Sequence, residues 1–285
     1  MAAITLYVPC FNGASFLERC IEGIRLQTRA PDRLVLVDDG STDGTADVAR
    51  SLGFEVISHA KNSGLGAARN TALRACNTEL IASLDADCVA HPRWLERLES
   101  ALSRERAAGV GGMLIETNNL ALADRWRTHH MRQHWGPDPL QNPPFLFGNN
   151  NLFHKASLIA AGGYNERYRT NFEDVAMSRA LYSAGFTLYY DPSASVQHLR
   201  SDSIGSVVRT NWRWRAADHD GGTSVSTLVR SLWLQRSREL AGFLRCDMRN
   251  ADLAGGLLSL AAVGYCIAAD VEHTFNHYKR AYRGA

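Results

Sequence analysis

Short apolar runs alternate with amphipathic stretches through the first 115 residues. Ile4–Val8, Leu34–Asp38, Phe54–Ser58, Leu80–Leu84 and Val110–Ile115 are apolar blocks of strand length. Ser15–Gln27, Thr45–Leu52, Gly64–Ala75 and Pro92–Arg106 lie between them with helix-like composition. This alternation predicts βαβ units around a largely parallel sheet. Ser15 and Glu18 have capping-box spacing, and Pro92 suits the first turn of a helix. Residues 117–147 break the pattern and read as a helix followed by a long loop from Gly136 to Phe147, of the kind that serves as a lid or binding loop. From Gly148 to Tyr190 the α/β character returns. Beyond Ser203 the chain reads as helical, with Ser231–Arg245 amphipathic.

Composition narrows the function. A formal charge of +2 over 285 residues gives no electrostatic case for a nucleic-acid partner. Six cysteines with no C-x-x-C spacing argue against a zinc site or disulfide scaffold and for a reducing, cytoplasmic setting. The N-terminus runs straight into strand-like Ile4–Val8, so no signal peptide is expected. Leu253–Ala269 is uncharged and reaches the lower length limit for a spanning helix. Its Gly and Ala content favours a buried or peripheral helix over one inside a membrane. Lys279, Arg280 and Arg283 form a small basic end, which reads as solvated surface.

Chemistry gathers where the strands end. Ligands of open α/β sheets bind beyond the carboxyl ends of strands. Asp38 and Asp39 end the second strand, as a nucleoside contact or as a helix cap. Asn62–Asn70 follows the third strand. There Gly64 and Gly66 would admit a phosphate at a helix N-terminus, and Arg69 falls one turn inside. The loop lacks the Gly-Lys-Ser/Thr ending of a P-loop. Asp85-Ala86-Asp87 ends the fourth strand. Two carboxylates one residue apart suit a divalent cation that carries a diphosphate, although solvated turn carboxylates have the same spacing. Glu173 and Asp174 precede the helical stretch Val175–Ala184, as a base or as plain caps. His198 follows a strand-like stretch and is either structural or a metal ligand.

These pieces, in this order, resemble a family 2 glycosyltransferase with the GT-A fold. The match takes in Val8-Pro9-Cys10-Phe11-Asn12, Val37–Thr45, Asn62–Asn70, Asp85-Ala86-Asp87, Pro92–Glu96, Gly148–Asn150, Gly162–Glu166 and Glu173-Asp174. The resemblance covers residues 3–200. It implies a mostly parallel Rossmann-like sheet flanked by helices in a domain over 1–202, followed by a helical extension over 203–285. Within that domain, 1–116 would hold the nucleotide sugar and 117–202 the acceptor. The implied reaction is an inverting transfer from a nucleotide-diphosphate sugar, with uridine the favoured base. Pro9, Phe11, Asp38 and Asp39 would hold the nucleoside, and Gly66 and Arg69 would lie near the nucleotide. Asp85 and Ala86 would meet ribose or a metal water. Asp87, with Asp85 and His198, would bind Mn²⁺ or Mg²⁺. Asp174, beside Glu173, would deprotonate the acceptor.

Some residues depart from the family pattern. Ala176 stands where an acidic residue is usual two places after the base motif. Thr210-Asn211-Trp212-Arg213-Trp214 does not meet the Gln-x-x-Arg-Trp signature of processive synthases, which favours transfer of one sugar or a few. The expected acceptor is a carbohydrate, a lipid-linked group or another hydroxyl compound. Peripheral contact with the inner face of a membrane, or a homodimer through the C-terminal helices, is open. The competing readings are a nucleotide-sugar-binding scaffold and a sugar-nucleotide nucleotidyltransferase. The latter should carry a basic glycine loop after the first strand, where this chain has Cys10–Ser15.

Overall fold

A computed structural model describes residues 2–216 and 234–283. In chain order the elements are β1 (Ile4–Cys10), α1 (Leu17–Arg25), β2 (Arg33–Asp38), α2 (Thr45–Ser51), β3 (Glu55–Ser58), α3 (Leu65–Ala75), β4 (Leu80–Leu84) and β5 (Cys88–Ala90). Then follow α4 (Trp94–Glu105), β6 (Gly109–Glu116), α5 (Leu122–His130), β7 (Leu140–Gln141), β8 (Asn150–His154), α6 (Lys155–Ala160), α7 (Glu173–Ser183) and β9 (Leu188–His198). The last helices are α8 (Ile204–Ala216), α9 (Arg236–Arg249) and α10 (Leu253–Arg283). Contacts divide the chain into two units. One comprises Met1–Thr117 with Gln133–Arg200, the other Asn118–Arg132 with Ser201–Ala285.

The first unit is an α/β layer structure. Its sheet runs β3-β2-β1-β4-β8-β6-β9-β5, with β7 paired to β9. From β3 to β4 all neighbours are parallel, as the alternating pattern predicts. Beyond β4 the sheet is mixed, because β8 lies antiparallel to both β4 and β6. Apolar residues cover both faces. Ile4, Leu6 and Val8 pack with Leu17, Ile21, Trp94 and Leu98 on one side. Tyr7, Val35 and Ile81 pack with Ala68, Ala72, Met177 and Leu181 on the other. A sheet buried on both faces explains why its strands read as continuous apolar runs.

Two local expectations fail. Pro92 lies before Arg93, the N-cap of α4, and not in its first turn. Ser15 does not cap the first helix, which is preceded by a single 3₁₀ turn, Ala14–Phe16, without a side-chain cap. The N–H groups that need a partner find one in the next loop: Gly13 donates to Thr45 Oγ1 (3.0 Å) and Ala14 to Asp43 Oδ2 (3.1 Å).

The second unit is helical with its own core of Trp126, Val207, Phe243, Leu258, Ala262 and Val263, among others. A chain of buried polar groups is paired there. Trp126 Nε1 donates to Ser259 Oγ, which donates to Asp247 Oδ2 (2.6 Å), and Asp247 also meets His130 Nε2 (2.7 Å). Trp212 Nε1 donates to Asp270 (2.9 Å). Of the stretch Ser231–Arg245, residues 231–233 lie outside the described residues, as do the side chains of Lys279, Arg280 and Arg283. Leu253–Phe275 is long and apolar enough to cross a membrane by length and composition, with a mean hydropathy of 1.6.

Candidate active site

Strand register assembles the acidic centre. β6 lies parallel to β9 and pairs Glu116 with His198; β9 lies antiparallel to β5 and pairs His198 with Cys88. Asp87 adjoins Cys88, and its carbonyl accepts from Leu199 N–H (2.8 Å). Three strand ends therefore bring Glu116, His198 and Asp87 into one line. His198 Nδ1 meets Glu116 Oε2 at 2.9 Å, and Nε2 lies 3.3 Å from Asp87 Oδ2. Burial disfavours a charge on His198, but the two carboxylates outweigh it and push its pKa up to about 9. Burial likewise opposes charge on Asp87, yet His198 and Arg200 hold its carboxyl below the usual range.

Asp85 meets Arg69. The turn is tight, with Cys88 N–H donating to Asp85 O (3.0 Å), and Asp85 N–H donating to Asn149 O (3.2 Å). Its Oδ1 lies 3.4 Å from Arg69 Nη2. Burial pushes Asp85 up to about 6, Arg69 pulls it down, and Asp87 raises it again. Ala86, between the pair, is buried. Beneath this turn lie buried thiols: Cys20 Sγ is 4.0 Å from Asp85 O and Cys88 Sγ is 3.8 Å from Asp87 Oδ1.

Arg69 is 1% exposed. The anions it reaches are carboxylates of this chain: Nε donates to Glu173 Oε1 (3.0 Å) and Nη2 approaches Asp85. Its Nη1 donates to Ser83 Oγ (2.7 Å) and Tyr7 Oη (3.2 Å). Gly148 makes room for it, since a Cβ there would stand 2.4 Å from Nη2. Glu173 and Asp174 form the first turn of α7 rather than preceding it. The residue before them, Phe172, is held at φ 76°, a strained conformation for an aromatic residue. Such strain persists where surrounding contacts over-determine it, and it clusters at active sites.

The two α7 carboxylates differ in access. Glu173 is fully buried, and its Oε2 has no hydrogen-bond partner. Burial and the Asp174 charge push it up to about 7 against the pull of Arg69. Asp174 is only partly buried. Its Oδ2 accepts from Gly148 N–H (3.0 Å) and Oδ1 from Val175 N–H (2.8 Å). Burial raises its pKa, while Arg69 and these N–H groups hold it down. Asp174 raises both Asp85 and Glu173, and Asp85 raises Glu173, so the acidic groups share one field.

At the end of β1, Pro9 is buried and Phe11 is 49% exposed, an aromatic face open to solvent. Asp38 Oδ1 accepts from Ser41 N–H (3.0 Å). Asp39 is spent on the chain itself, accepting from Ser63 N–H and Gly64 N–H at 2.8 Å each and meeting His59 Nδ1 at 2.7 Å. The expected phosphate cradle at Gly64–Gly66 is filled by the chain's own carbonyls. Leu65 N–H donates to Arg169 O (2.7 Å) and Gly66 N–H to Tyr168 O (3.2 Å). Glycine is required here by chain packing: a Cβ on Gly64 would lie 2.7 Å from Arg169 Cα, and one on Gly66 2.8 Å from Asn165 O.

The structure thus brings together Asp85, Asp87, His198, Arg69, Glu173 and Asp174, while Asp39 and Gly66 brace the loop beside them. Glu116, Ser83 and Tyr7 were not anticipated from sequence, and Gly148 only as part of the matched Gly148–Asn150. Glu116 carried one signal, its place directly after the apolar run Val110–Ile115.

The donor set fits a divalent cation. Among the described residues no group of three or more His, Cys, Asp or Glu side chains is placed to hold a metal ion. Cations of the Mg²⁺ type are held by one or two carboxylates together with substrate phosphate. Glu116 orients His198 through Nδ1 and leaves Nε2 beside Asp87, the usual arrangement behind a ligating imidazole.

The chain is 29% identical over 238 residues to a pre-mycofactocin glycosyltransferase of Mycobacterium tuberculosis, covering 80% of this chain and 48% of that protein. It is 26% identical over 196 residues to the glycosyltransferase AglE of Haloferax volcanii, covering 66% of this chain and 64% of that one. The chain therefore spans about half to two thirds of the length of these relatives. The mannosyltransferase PcManGT of Pyrobaculum calidifontis, solved with GDP-Man and Mn²⁺, superposes with a TM-score of 0.59 at 17% identity, over 99% of this chain and 81% of that one. That likeness establishes the GT-A fold. The sequence model of glycosyl transferase family 2 matches residues 5–165, more than half of the chain, which belongs to that family.

Proposed function

We propose that the chain is a metal-dependent, inverting, non-processive glycosyltransferase that moves a sugar from a nucleotide-diphosphate sugar to an acceptor hydroxyl. The observation that carries this reading is the meeting, at the strand ends, of the Asp87–His198–Glu116 line with the Arg69–Glu173–Asp174 group. Phe11 offers a face on which a base stacks, beside Pro9 and Asp38. Asp87 and His198, with Asp85, would hold a divalent cation, which neutralises charge on a departing diphosphate. The similar mannosyltransferase with GDP-Man and Mn²⁺ supports that assignment.

Asp174 is the base. It is reachable, its carboxyl is raised towards working pH, and two backbone N–H groups fix its orientation. It takes the acceptor's proton as the hydroxyl oxygen attacks the anomeric carbon from the face opposite the leaving group, so one displacement inverts the centre. No protein nucleophile is needed. Glu173 and Arg69 are positioning residues. Arg69 ties α3 to β4 and α7 and so fixes the spacing between Asp85 and Asp174.

The test is calorimetric titration with UDP, GDP and dTDP, with and without Mn²⁺. One nucleotide, UDP in the first instance, is expected to bind in a metal-dependent way. Asp87→Asn should weaken that binding. Asp174→Asn should leave it intact and slow transfer by about 10²-fold or more. A folded protein that binds no nucleotide with metal present overturns the proposal, and an Asp174→Asn protein with normal turnover removes the base.

A further inference from the structure

Helix α10 is apolar on both sides. One side, with Leu258, Ala262, Val263 and Cys266, lies in the core of the helical unit. The other is exposed and presents Leu253, Leu257, Leu260, Tyr265 and Ile267, with no charged side chain before Asp270. Leu253 and Leu257 are 87% and 70% exposed. A solvated helix carries polar residues on this side. A contiguous apolar face marks an interaction surface instead.

Cations sit at the start of this face. Arg132, Arg245 and Arg249 line an open cavity of about 650 Å³ together with His129 and Asn250. None of the three arginines has a carboxylate partner among the described residues. The nearby carboxylates are turned to other work: Asp247 binds His130 and Ser259, and Asp252 binds Arg125 at 2.7 Å. Arg249 and Leu253 flank the turn between α9 and α10, so unpaired positive charge adjoins exposed hydrocarbon in the chain itself. Met248, at the same turn, is also exposed.

We propose that the helical unit docks on an anionic lipid surface, with the exposed face of α10 among the acyl chains and the three arginines on headgroup phosphates. An apolar face with cations just ahead of it in the chain fits a helix lying in the membrane interface. A second copy of the unit would bring the same arginines and no matching anions, whereas an anionic bilayer supplies phosphate and hydrocarbon together. Spanning is disfavoured because the opposite side of α10 is engaged with Trp126 and Asp247 through Ser259.

The test uses the full chain and sedimentation with vesicles of phosphatidylcholine alone or mixed with phosphatidylglycerol. Binding is expected to the mixed vesicles and to fall with added salt. Replacing Arg245 and Arg249 together by Ala should weaken it by roughly tenfold or more, since each cation near an anionic surface contributes severalfold. Leu257→Gln with Leu260→Gln should abolish it without lowering Tm, because both side chains are exposed. Absence of vesicle binding by the parent protein overturns the proposal. So does a dimer that the Leu257→Gln and Leu260→Gln changes dissociate, or binding of soluble pyrophosphate at these arginines without binding of vesicles. The inference stands on the helical unit alone. Nucleotide titration of the same samples keeps its failure distinct from that of the proposed transfer.

Discussion

At the scale of single residues, the site is organised around a buried guanidinium. Arg69 reads in the sequence as a group that meets a nucleotide, because Asn62–Asn70 has the look of a ligand loop. The structure turns it inward, since Ser83, Tyr7 and Glu173 surround it and Gly148 leaves space for it. Sequence spacing placed Arg69 one helical turn in but carried no information on which side of α3 faces the sheet. Glu173 shows the same limit: it stands next to Asp174 in sequence, but only Asp174 is reachable. This burial has a pH consequence. The Glu173 carboxyl rises from its ordinary 4.5 to about 7, so between those values the folded state holds more protons than the unfolded one. Stability from this group is therefore greatest at low pH and is lost as pH rises through about 7. Thermal melts of the parent protein should show that fall, and Glu173→Gln should lessen it, leaving the smaller part that the raised Asp85 and Asp174 carboxyls contribute.

At the scale of elements, the parallel half of the sheet was legible and the mixed half was not. β1 to β4 are continuous apolar runs, and their ends lie within a residue or two of the expected bounds. β8 begins with Asn150 and Asn151, which no strand pattern favours. Asn150 is nonetheless buried at the sheet centre. It accepts from Trp94 Nε1 and donates through Nδ2 to Met113 O (3.2 Å) and Ala194 O (3.3 Å). Those bonds close a gap in the β6–β9 ladder, where the register shifts between Gly111 and Met113 and four residues of β9 oppose one of β6. Pro192 lies in that bulge, so only the end of β9, the strand-like stretch before His198, was legible. Gly112 is the price of the arrangement, because a Cβ there would stand 1.7 Å from Ala194 O. Gly112→Ala is expected to cost about 3 kcal/mol in denaturant unfolding, with loss of nucleotide binding as His198 shifts.

At the scale of the whole molecule, the first unit is held by two apolar cores, one on each face of the sheet, and neither rests on a cation. Chelation should therefore leave the Tm of the nucleotide-free protein unchanged, while it removes the stabilisation that a bound nucleotide adds. A drop in Tm on chelation alone would mean that a metal is part of the fold.

The thiols beneath the acidic turn extend that argument. Cys20 and Cys88 are completely buried, and burial drives both thiols far up from their ordinary value. Neither can be alkylated while β4, β5 and α1 stay closed, since only the thiolate reacts. The candidate site thus has a covalent clock beneath it. The rate at which a small alkylating reagent modifies Cys20 and Cys88 reads how often this corner opens, without any substrate. Bound nucleotide with metal should slow that clock, and Asp87→Asn should abolish the slowing.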